Sequence, residues 1–166
     1  MNAILSRRSI RKYTNRSVDD ATIKGLLTAA MAAPSAGNQQ PWQFVVMNER
    51  IVLDQVSSFH PHSAMILQAQ CSILVCGDLE KEIHKGYWVQ DCAAATENIL
   101  IAVQEKGLGA VWMGIYPREE RVDGLRKLLD IPAQVIPFSL IPVGYPAETK
   151  EPSNRFDPVR IHYNKW

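Results

Sequence analysis

Cysteine, histidine and long apolar runs are all scarce in this chain, and each scarcity argues against a class of protein. The 166 residues include 3 cysteines, an odd number in a chain long enough to fold without cross-links, so we expect a reducing, cytoplasmic compartment rather than a disulfide framework. The 4 histidines and the cysteines show no CxxC or HExxH spacing, which predicts no metal site. No run of about 18 apolar residues and no apolar leader occur, so we expect neither a membrane span nor secretion.

An excess of charge of either sign is also missing. The 18 Lys and Arg residues nearly balance the 17 Asp and Glu residues, which leaves a formal net charge of +1. This balance argues against a nucleic-acid partner. Any anionic ligand must therefore be bound by a local cluster of cations. The apolar fraction of 46% is enough for a packed core, and no internal repeat is visible, so we expect one domain over residues 1–166.

Hydrophobic periodicity predicts a mixture of helices and strands. The expected helices cover residues 17–33, 49–58, 87–106 and a segment from Pro117 through Leu129, with Ser17 suited to cap the first of them. The expected strands cover residues 42–47, 72–76, 110–113 and 138–143. Residues 145–166 lose the periodicity and are rich in proline and aromatic side chains, which is typical of an arm that lies over a partner subunit.

The densest charged feature lies near the N-terminus. It consists of a hydroxyl and four cations within six residues, namely Arg7, Arg8, Ser9, Arg11 and Lys12. Guanidinium groups form charge-assisted, bidentate hydrogen bonds to phosphate oxygens, and a hydroxyl can fill a remaining acceptor position. The composition therefore fits a phosphate site, although charge alone favours a solvated surface.

A loop rich in carboxamides follows the first long helix and is stiffened by a proline at each end, Pro34 and Pro41. Amides such as those of Asn38 and Gln40 offer both donors and acceptors, which suits the alternating N–H and C=O edge of a heterocycle better than it suits a phosphate. The alternative is a plain connection between a helix and a strand. Such connections are mostly shorter and are seldom so rich in amides.

The glycines at positions 107, 109 and 114 do not form a dinucleotide-binding motif. They follow a predicted helix and precede a predicted strand, which is the reverse of the order that a pyrophosphate loop requires. Two of them are expected to end the helix. Gly114 falls at the end of the predicted strand, where the missing side chain would let a flat ligand approach the backbone N–H.

Four motifs occur in order along the chain: R-R-S-I-R at 7–11, P-S-A-G-N-Q-Q-P-W at 34–42, G-L-G-A-V-W-M-G-I at 107–115 and V-G-Y-P-A-E at 143–148. Their order and spacing resemble the FMN-dependent nitroreductase family, particularly its short members. The resemblance implies an α+β sandwich in which helices flank a mostly antiparallel sheet. It also implies an intertwined homodimer with FMN at the interface.

Carried over residue by residue, the resemblance implies a cofactor site made of three segments. The first holds the phosphate and part of the flavin ring, the second reaches the flavin from the partner subunit, and the third directs a backbone N–H at flavin N5. The matching residues are Arg7, Arg8, Ser9 and Arg11 in the first, Pro34, Ser35, Ala36, Asn38 and Gln40 in the second, and Met113, Gly114 and Ile115 in the third.

Two further assignments depend on the same resemblance. A basic residue of the C-terminal segment completes the phosphate site, and Arg155 is preferred to Arg160. Either Arg7 or Lys12 supplies the positive charge near flavin N1, and that choice stays open. Many longer relatives carry an acidic residue at the position of Gly114, so only the backbone role is expected there.

The implied activity is ping-pong hydride transfer. NADH or NADPH gives a hydride to flavin N5, and a quinone or nitroaromatic acceptor then takes it, so no side chain needs to act as a catalytic acid or base. The physiological acceptor and the choice of nucleotide stay open. Two alternatives also remain: an FMN-binding storage or sensing protein with little turnover, and a specialised enzyme that fragments flavin or removes a halogen.

Overall fold

The computed structural model describes residues 2–166 and contains one antiparallel sheet of five strands. The strands are β1 (Trp42–Met47), β2 (Cys71–Asp78), β3 (Gly109–Ala110), β4 (Met113–Gly114) and β5 (Val135–Gly144). Their order is β1-β2-β5-β3, and β4 also pairs with β5. β5 therefore joins the longer strands to the two short ones, and the outer edge of β3 and β4 remains open for other segments.

Helices cover both faces of this sheet. Within residues 2–166 they are α1 (Asn2–Ser6), α2 (Asp20–Met31), α3 (Arg50–Gln55), α4 (Trp88–Glu105) and α5 (Glu119–Leu129). On β2, Ile73 and Val75 pack with α2 and α4, whereas Leu74 and Cys76 pack with α3 and α5. Because successive side chains of a strand point to opposite faces, β2 contributes to two cores. The predicted α+β sandwich is confirmed.

Three differences between the predicted and observed elements have an identifiable cause, and for the first two that cause is local. Asp19, not Ser17, caps α2, because its side chain accepts the N–H of Thr22 at 2.7 Å. Helix α5 begins at Glu119 rather than at Pro117, because a preceding turn is closed by a 2.9 Å hydrogen bond from the N–H of Arg118 to residue 115.

The third error concerns the strand predicted at residues 110–113, which is divided into β3 and β4. Ala110 pairs with Val143 and Met113 pairs with Leu140, so the same register places Val111 opposite Pro142. Proline has no N–H to donate to the ladder. The interruption is therefore caused by a residue of the neighbouring strand, which the local sequence does not reveal.

The C-terminal segment starts as part of the fold and then becomes exposed. Tyr13 forms an antiparallel bridge with Pro146, and the N–H of Ala147 donates to the carbonyl of Lys12 at 2.9 Å. Beyond residue 150 the segment has one short 3-10 helix, Pro158–Arg160. Its aromatic side chains pack little against this protomer: Phe156 is 76% exposed, Tyr163 83% and Trp166 100%. Within residues 2–166, no helix is both long and apolar enough to cross a membrane.

The three thiols provide a first prediction. Cys71, Cys76 and Cys92 are all free and buried. Burial raises the pKa of the Cys71 thiol to about 11 and that of Cys76 to about 12, and it also raises the pKa of Cys92. We expect a chromogenic disulfide reagent at neutral pH to modify none of them in the native protein and all three after unfolding in guanidinium. Fast modification of a native thiol would contradict this packing.

Candidate functional site

The basic N-terminal segment lies along the open edge of β3. Ser9 forms a parallel bridge with Ala110, and the N–H of Ile10 donates to the carbonyl of Ala110 at 2.9 Å. The buried hydroxyl of Tyr13 donates to the carbonyl of Ile10 at 2.7 Å. The sheet therefore fixes the backbone from which the cationic side chains extend.

One cavity of about 280 Å³ is lined by three arginine side chains. Its polar lining consists of Arg7, Arg8, Ser153, Asn154 and Arg155. The Nε of Arg7 lies 3.3 Å from a carboxylate oxygen of Glu97, but it is not aligned to donate to it. Among residues 2–166, four buried guanidinium N–H groups have no hydrogen-bond acceptor, namely this Nε, the Nη2 of Arg8 and the Nε atoms of Arg121 and Arg126. What distinguishes Arg7 and Arg8 from the other two is that they line one cavity with a third arginine, and such a cluster of guanidinium groups suits an anion.

Of the two candidate arginines in the C-terminal segment, only one lines this cavity. Arg155 lines the cavity with Arg7 and Arg8. Arg160 has a side chain that is 83% exposed and pairs with Asp157 within its own turn, with 3.0 Å between Nε and Oδ2. Arg155 is therefore the residue that shares the cavity.

Arg11 and Lys12 lie at a different cavity, of about 370 Å³, which they line together with Met65. Their backbone N–H groups both donate to Glu148 Oε1, and the Nζ of Lys150 lies 3.4 Å from the same oxygen. The N–H of Arg11 is the main cause that lowers the pKa of Glu148. The four cations of the segment are thus divided between two cavities rather than gathered in one.

The carboxamide loop, residues 34–41, is held by two buried polar side chains that the sequence analysis missed. Gln39 donates through Nε2 to Asp91 Oδ2 at 2.6 Å, and Asp91 Oδ1 accepts the N–H of Ala36 at 2.9 Å. The Oε1 of Gln39 accepts the N–H groups of residues 83 and 84, both at 2.9 Å. An acid at position 91, on the apolar stripe of α4, is the signal that could have found this network.

The loop presents a preformed polar surface. Of its predicted site residues, Ser35 and Ala36 are half-buried, and Pro34, Asn38 and Gln40 are exposed. Gly37, Asn38 and Gln40 have positive φ angles of 53, 56 and 48°, a region that side chains other than glycine adopt at a cost. Internal bonds maintain this shape: Gln40 Nε2 donates to Asn38 Oδ1 at 2.8 Å, and Ser35 Oγ accepts the N–H of Gln40 at 3.0 Å.

The role of Gln39 leads to a stability prediction. Gln39→Leu would leave Asp91 Oδ2 and two backbone N–H groups without partners, so we expect a loss of about 2–3 kcal/mol in the free energy of unfolding. Urea denaturation measures it. Gln40→Leu, the same substitution at an exposed position of the same loop, is the matched control and should cost less than about 1 kcal/mol. Equal effects at the two positions would contradict the structural role of Gln39.

Gly114 offers its backbone at the open edge of β4. The N–H of Ile115 donates to the carbonyl of Phe138 on β5 at 3.2 Å, so the N–H and C=O of Gly114 face away from β5. The carbonyl accepts from Arg121 Nη1 at 2.7 Å and lies 3.3 Å from His60 Nε2. Apart from Gly114 and its two chain neighbours, no residue has an atom within 4 Å of the position that a Cβ of Gly114 would take, which leaves room for a flat ligand.

Gly114 and the basic segment share one edge of the sheet. The carbonyls of Ala110 and Gly114 both point away from β5, and four residues of extended chain separate them by about 13 Å. Met113 and Ile115 are buried on either side, so only Gly114 is accessible at the strand end. The edge can therefore accommodate an elongated ligand with an anion at one end and a flat ring at the other.

Residues 4–145 match the model of the Nitroreductase family. The chain belongs to the nitroreductase family. This assignment makes it an oxidoreductase. Over the described residues 2–166, no group of three or more His, Cys, Asp and Glu side chains is placed to hold a metal ion.

The chain is similar to relatives along its whole length. It is 50% identical over 166 residues to a Methanothermobacter thermautotrophicus protein named "Putative NADH dehydrogenase/NAD(P)H nitroreductase", covering 100% of this chain and 87% of that one. It is 27% identical to the solved "FMN-dependent Nitroreductase" of Clostridium difficile R20291, with a TM-score of 0.92 and full coverage (100%) of both chains. It is 30% identical to a "putative nitroreductase in complex with fmn" from Desulfovibrio desulfuricans, with a TM-score of 0.86 over 99% of this chain and 96% of that one.

Proposed function

We propose that the protein is a homodimeric, FMN-dependent NAD(P)H oxidoreductase that passes hydride through flavin N5 to quinone or nitroaromatic acceptors by a ping-pong mechanism. The observation that carries the proposal is the cavity lined by Arg7, Arg8 and Arg155, because Arg8 directly precedes Ser9, which bridges to the sheet edge that also presents Gly114. The named FMN complex of a relative supports it. The buried, free cysteines agree with a cytoplasmic location.

The basic residues near the N-terminus, together with Arg155, would bind two different parts of FMN. Arg7, Arg8 and Arg155 would hold the phosphate, with the hydroxyl of Ser9 beside them. Since Arg7 belongs to that cavity, we assign the positive charge near flavin N1 to Lys12, which lies with Arg11 at the second cavity. Charge at this point stabilises the anionic form of the reduced ring.

The other two segments would hold the ring. Gly114 would supply a backbone N–H toward flavin N5, and its neighbours Met113 and Ile115 hold the strand end on β5. The carboxamide loop supplies Pro34, Ser35, Ala36, Asn38 and Gln40 from the partner subunit. FMN provides the hydride chemistry when bound, and the protein's own residues bind it, orient it and keep one face open to donor and acceptor.

The homodimer is proposed from exposed apolar surface. A groove of about 460 Å³ between α1, α2 and α4 is lined mainly by small and aliphatic side chains, among them Ala3, Ile4, Ala29, Ile101 and Ala102. Ile4 and Leu5 are 56% and 65% exposed in the protomer. A contiguous exposed apolar surface is typical of a protein–protein interface. We propose that a second copy of the single domain, 1–166, covers it, and that residues 145–166 extend over that copy.

Steady-state kinetics test the proposed activity. With varied NADH or NADPH and varied quinone or nitroaromatic, we expect turnover and parallel double-reciprocal plots, because the oxidised nucleotide leaves before the acceptor binds. Intersecting plots would contradict the ping-pong order. A protein that binds FMN but shows no turnover with any of these acceptors would instead be the storage or sensing protein.

A further inference from the structure

His60 is a buried polar residue that has no part in the proposed contacts with FMN. It is 2% exposed. Its Nδ1 lies 3.3 Å from the backbone N–H of His62, which donates to it. That bond fixes the tautomer, because Nδ1 must keep its lone pair and Nε2 must carry the proton. Nε2 therefore donates to the carbonyl of Gly114 at 3.3 Å.

A second donor reaches the same carbonyl from another element. Arg121, in α5, places Nη1 2.7 Å from the oxygen of Gly114. β4 is only two residues long, and in the sheet described for residues 2–166 it pairs with β5 alone. His60 and Arg121 thus occupy the place that a further strand would take, and they bond the one carbonyl of β4 that faces away from the sheet.

The surroundings keep this imidazole neutral. Burial is the main cause that lowers the pKa of His60, and the nearby charges of Arg121 and His62 lower it further. A neutral imidazole has one N–H and one lone pair, and both are used here. The ring is therefore held from both sides in one orientation.

We propose that His60 is a positioning residue that, together with Arg121, fixes the Gly114 backbone so that its N–H meets flavin N5. This inference rests on the proposed function. A hydrogen bond to N5 stabilises the oxidised ring, because N5 offers an in-plane lone pair only in that state. Movement of Gly114 would weaken the bond, raise the reduction potential of the bound cofactor and misplace the ring for hydride transfer. A displacement of this kind can slow a reaction by up to about 100-fold.

The FMN-loaded protein tests the proposal with three substitutions. His60→Leu removes the donor with little change in size, His60→Gln keeps an N–H near the position of Nε2, and His62→Gln is the control. The side chain of His62 is exposed, and only its backbone N–H forms a hydrogen bond with His60. The measurements are the midpoint potential of bound FMN, its visible spectrum, and the rate of its reduction by NADH in a stopped-flow instrument.

We expect His60→Leu to bind FMN at wild-type stoichiometry, to raise its midpoint potential, and to slow its reduction by about tenfold or more. His60→Gln should restore most of both properties, and His62→Gln should match the wild type. A His60→Leu protein with an unchanged potential and spectrum would overturn the proposal. So would a His60→Gln protein as impaired as His60→Leu, because the hydrogen bond would then not be the cause.

Two measurements keep the test decisive if His60→Leu does not fold. Arg121→Met removes the second donor from a partly exposed position, and the proposal requires it to shift the potential in the same direction. Amide exchange of Ile115, whose N–H bonds to β5, can be followed in the protein without cofactor. Faster exchange in Arg121→Met than in His62→Gln supports the proposed positioning of Gly114, and equal exchange in these two variants overturns it. Absence of FMN binding by the wild type would instead refute the proposed function.

Discussion

Arg155→Ala is expected to weaken FMN binding by about 1.5–3 kcal/mol, which corresponds to about 10- to 150-fold in the dissociation constant. Arg155 lines one cavity with Arg7 and Arg8, and each of these two side chains has a buried N–H group without an acceptor. A phosphate there would receive charge-assisted hydrogen bonds from all three side chains. Arg7→Ala should show a loss of similar size. Titration of the cofactor-free protein with FMN, followed by flavin fluorescence, measures both.

Two other arginines serve as controls for this prediction. Arg160 has the same charge, lies five residues away in the same irregular segment, and pairs with Asp157, so Arg160→Ala should leave the affinity unchanged. Arg11→Ala should cost less than Arg7→Ala, because Arg11 lines the other cavity. A larger loss at Arg160 or Arg11 than at Arg155 would show that the phosphate binds elsewhere.

Ala102→Glu is expected to separate the two subunits and to release FMN from both. Ala102 lines the apolar groove between α1, α2 and α4, and Glu105 lies one helical turn further on. A second carboxylate in a covered interface would be unpaired and desolvated, which costs several kcal/mol. Sedimentation velocity recorded at the flavin absorbance band reports the oligomeric state and the bound cofactor together.

The matched control places the same charge on the other side of the sheet. Ile51 is 69% exposed on α3, whose Leu53 belongs to the opposite core, so Ile51→Glu should remain a dimer that holds FMN. An Ala102→Glu protein that stays dimeric would show that the groove is not the interface. A monomer that retains FMN with wild-type affinity would refute a site shared between subunits.

Local sequence predicted the elements whose signals lie within their own residues. β1 occupies residues 42–47 as predicted, because aromatic and β-branched side chains follow directly on Pro41. Helix α4 differs from its prediction by one residue at each end, since its apolar period is long and regular. The division of β3 from β4 was not predictable in this way, because its cause is Pro142 on another strand.

Local sequence also predicted the candidate site only in part. The motifs identified the segments, but the separation of Arg7 from Arg11 depends on how the bridge between Ser9 and Ala110 orients the chain. Gln39 and Asp91 are 52 positions apart, and their bond forms only once α4 packs beside the loop. His60 gave no sequence signal at all, since its partner is a backbone carbonyl 54 residues away.

The most direct test of the proposed chemistry is an anaerobic titration of the purified protein with NADH and NADPH, followed by its visible absorbance. The proposal predicts the two-band spectrum of an oxidised flavin, identified as FMN after denaturation, at one per chain. One of the two nucleotides should bleach these bands, and a quinone added afterwards should restore them. A colourless protein that takes up no added FMN, or bound FMN that neither nucleotide reduces, would contradict it.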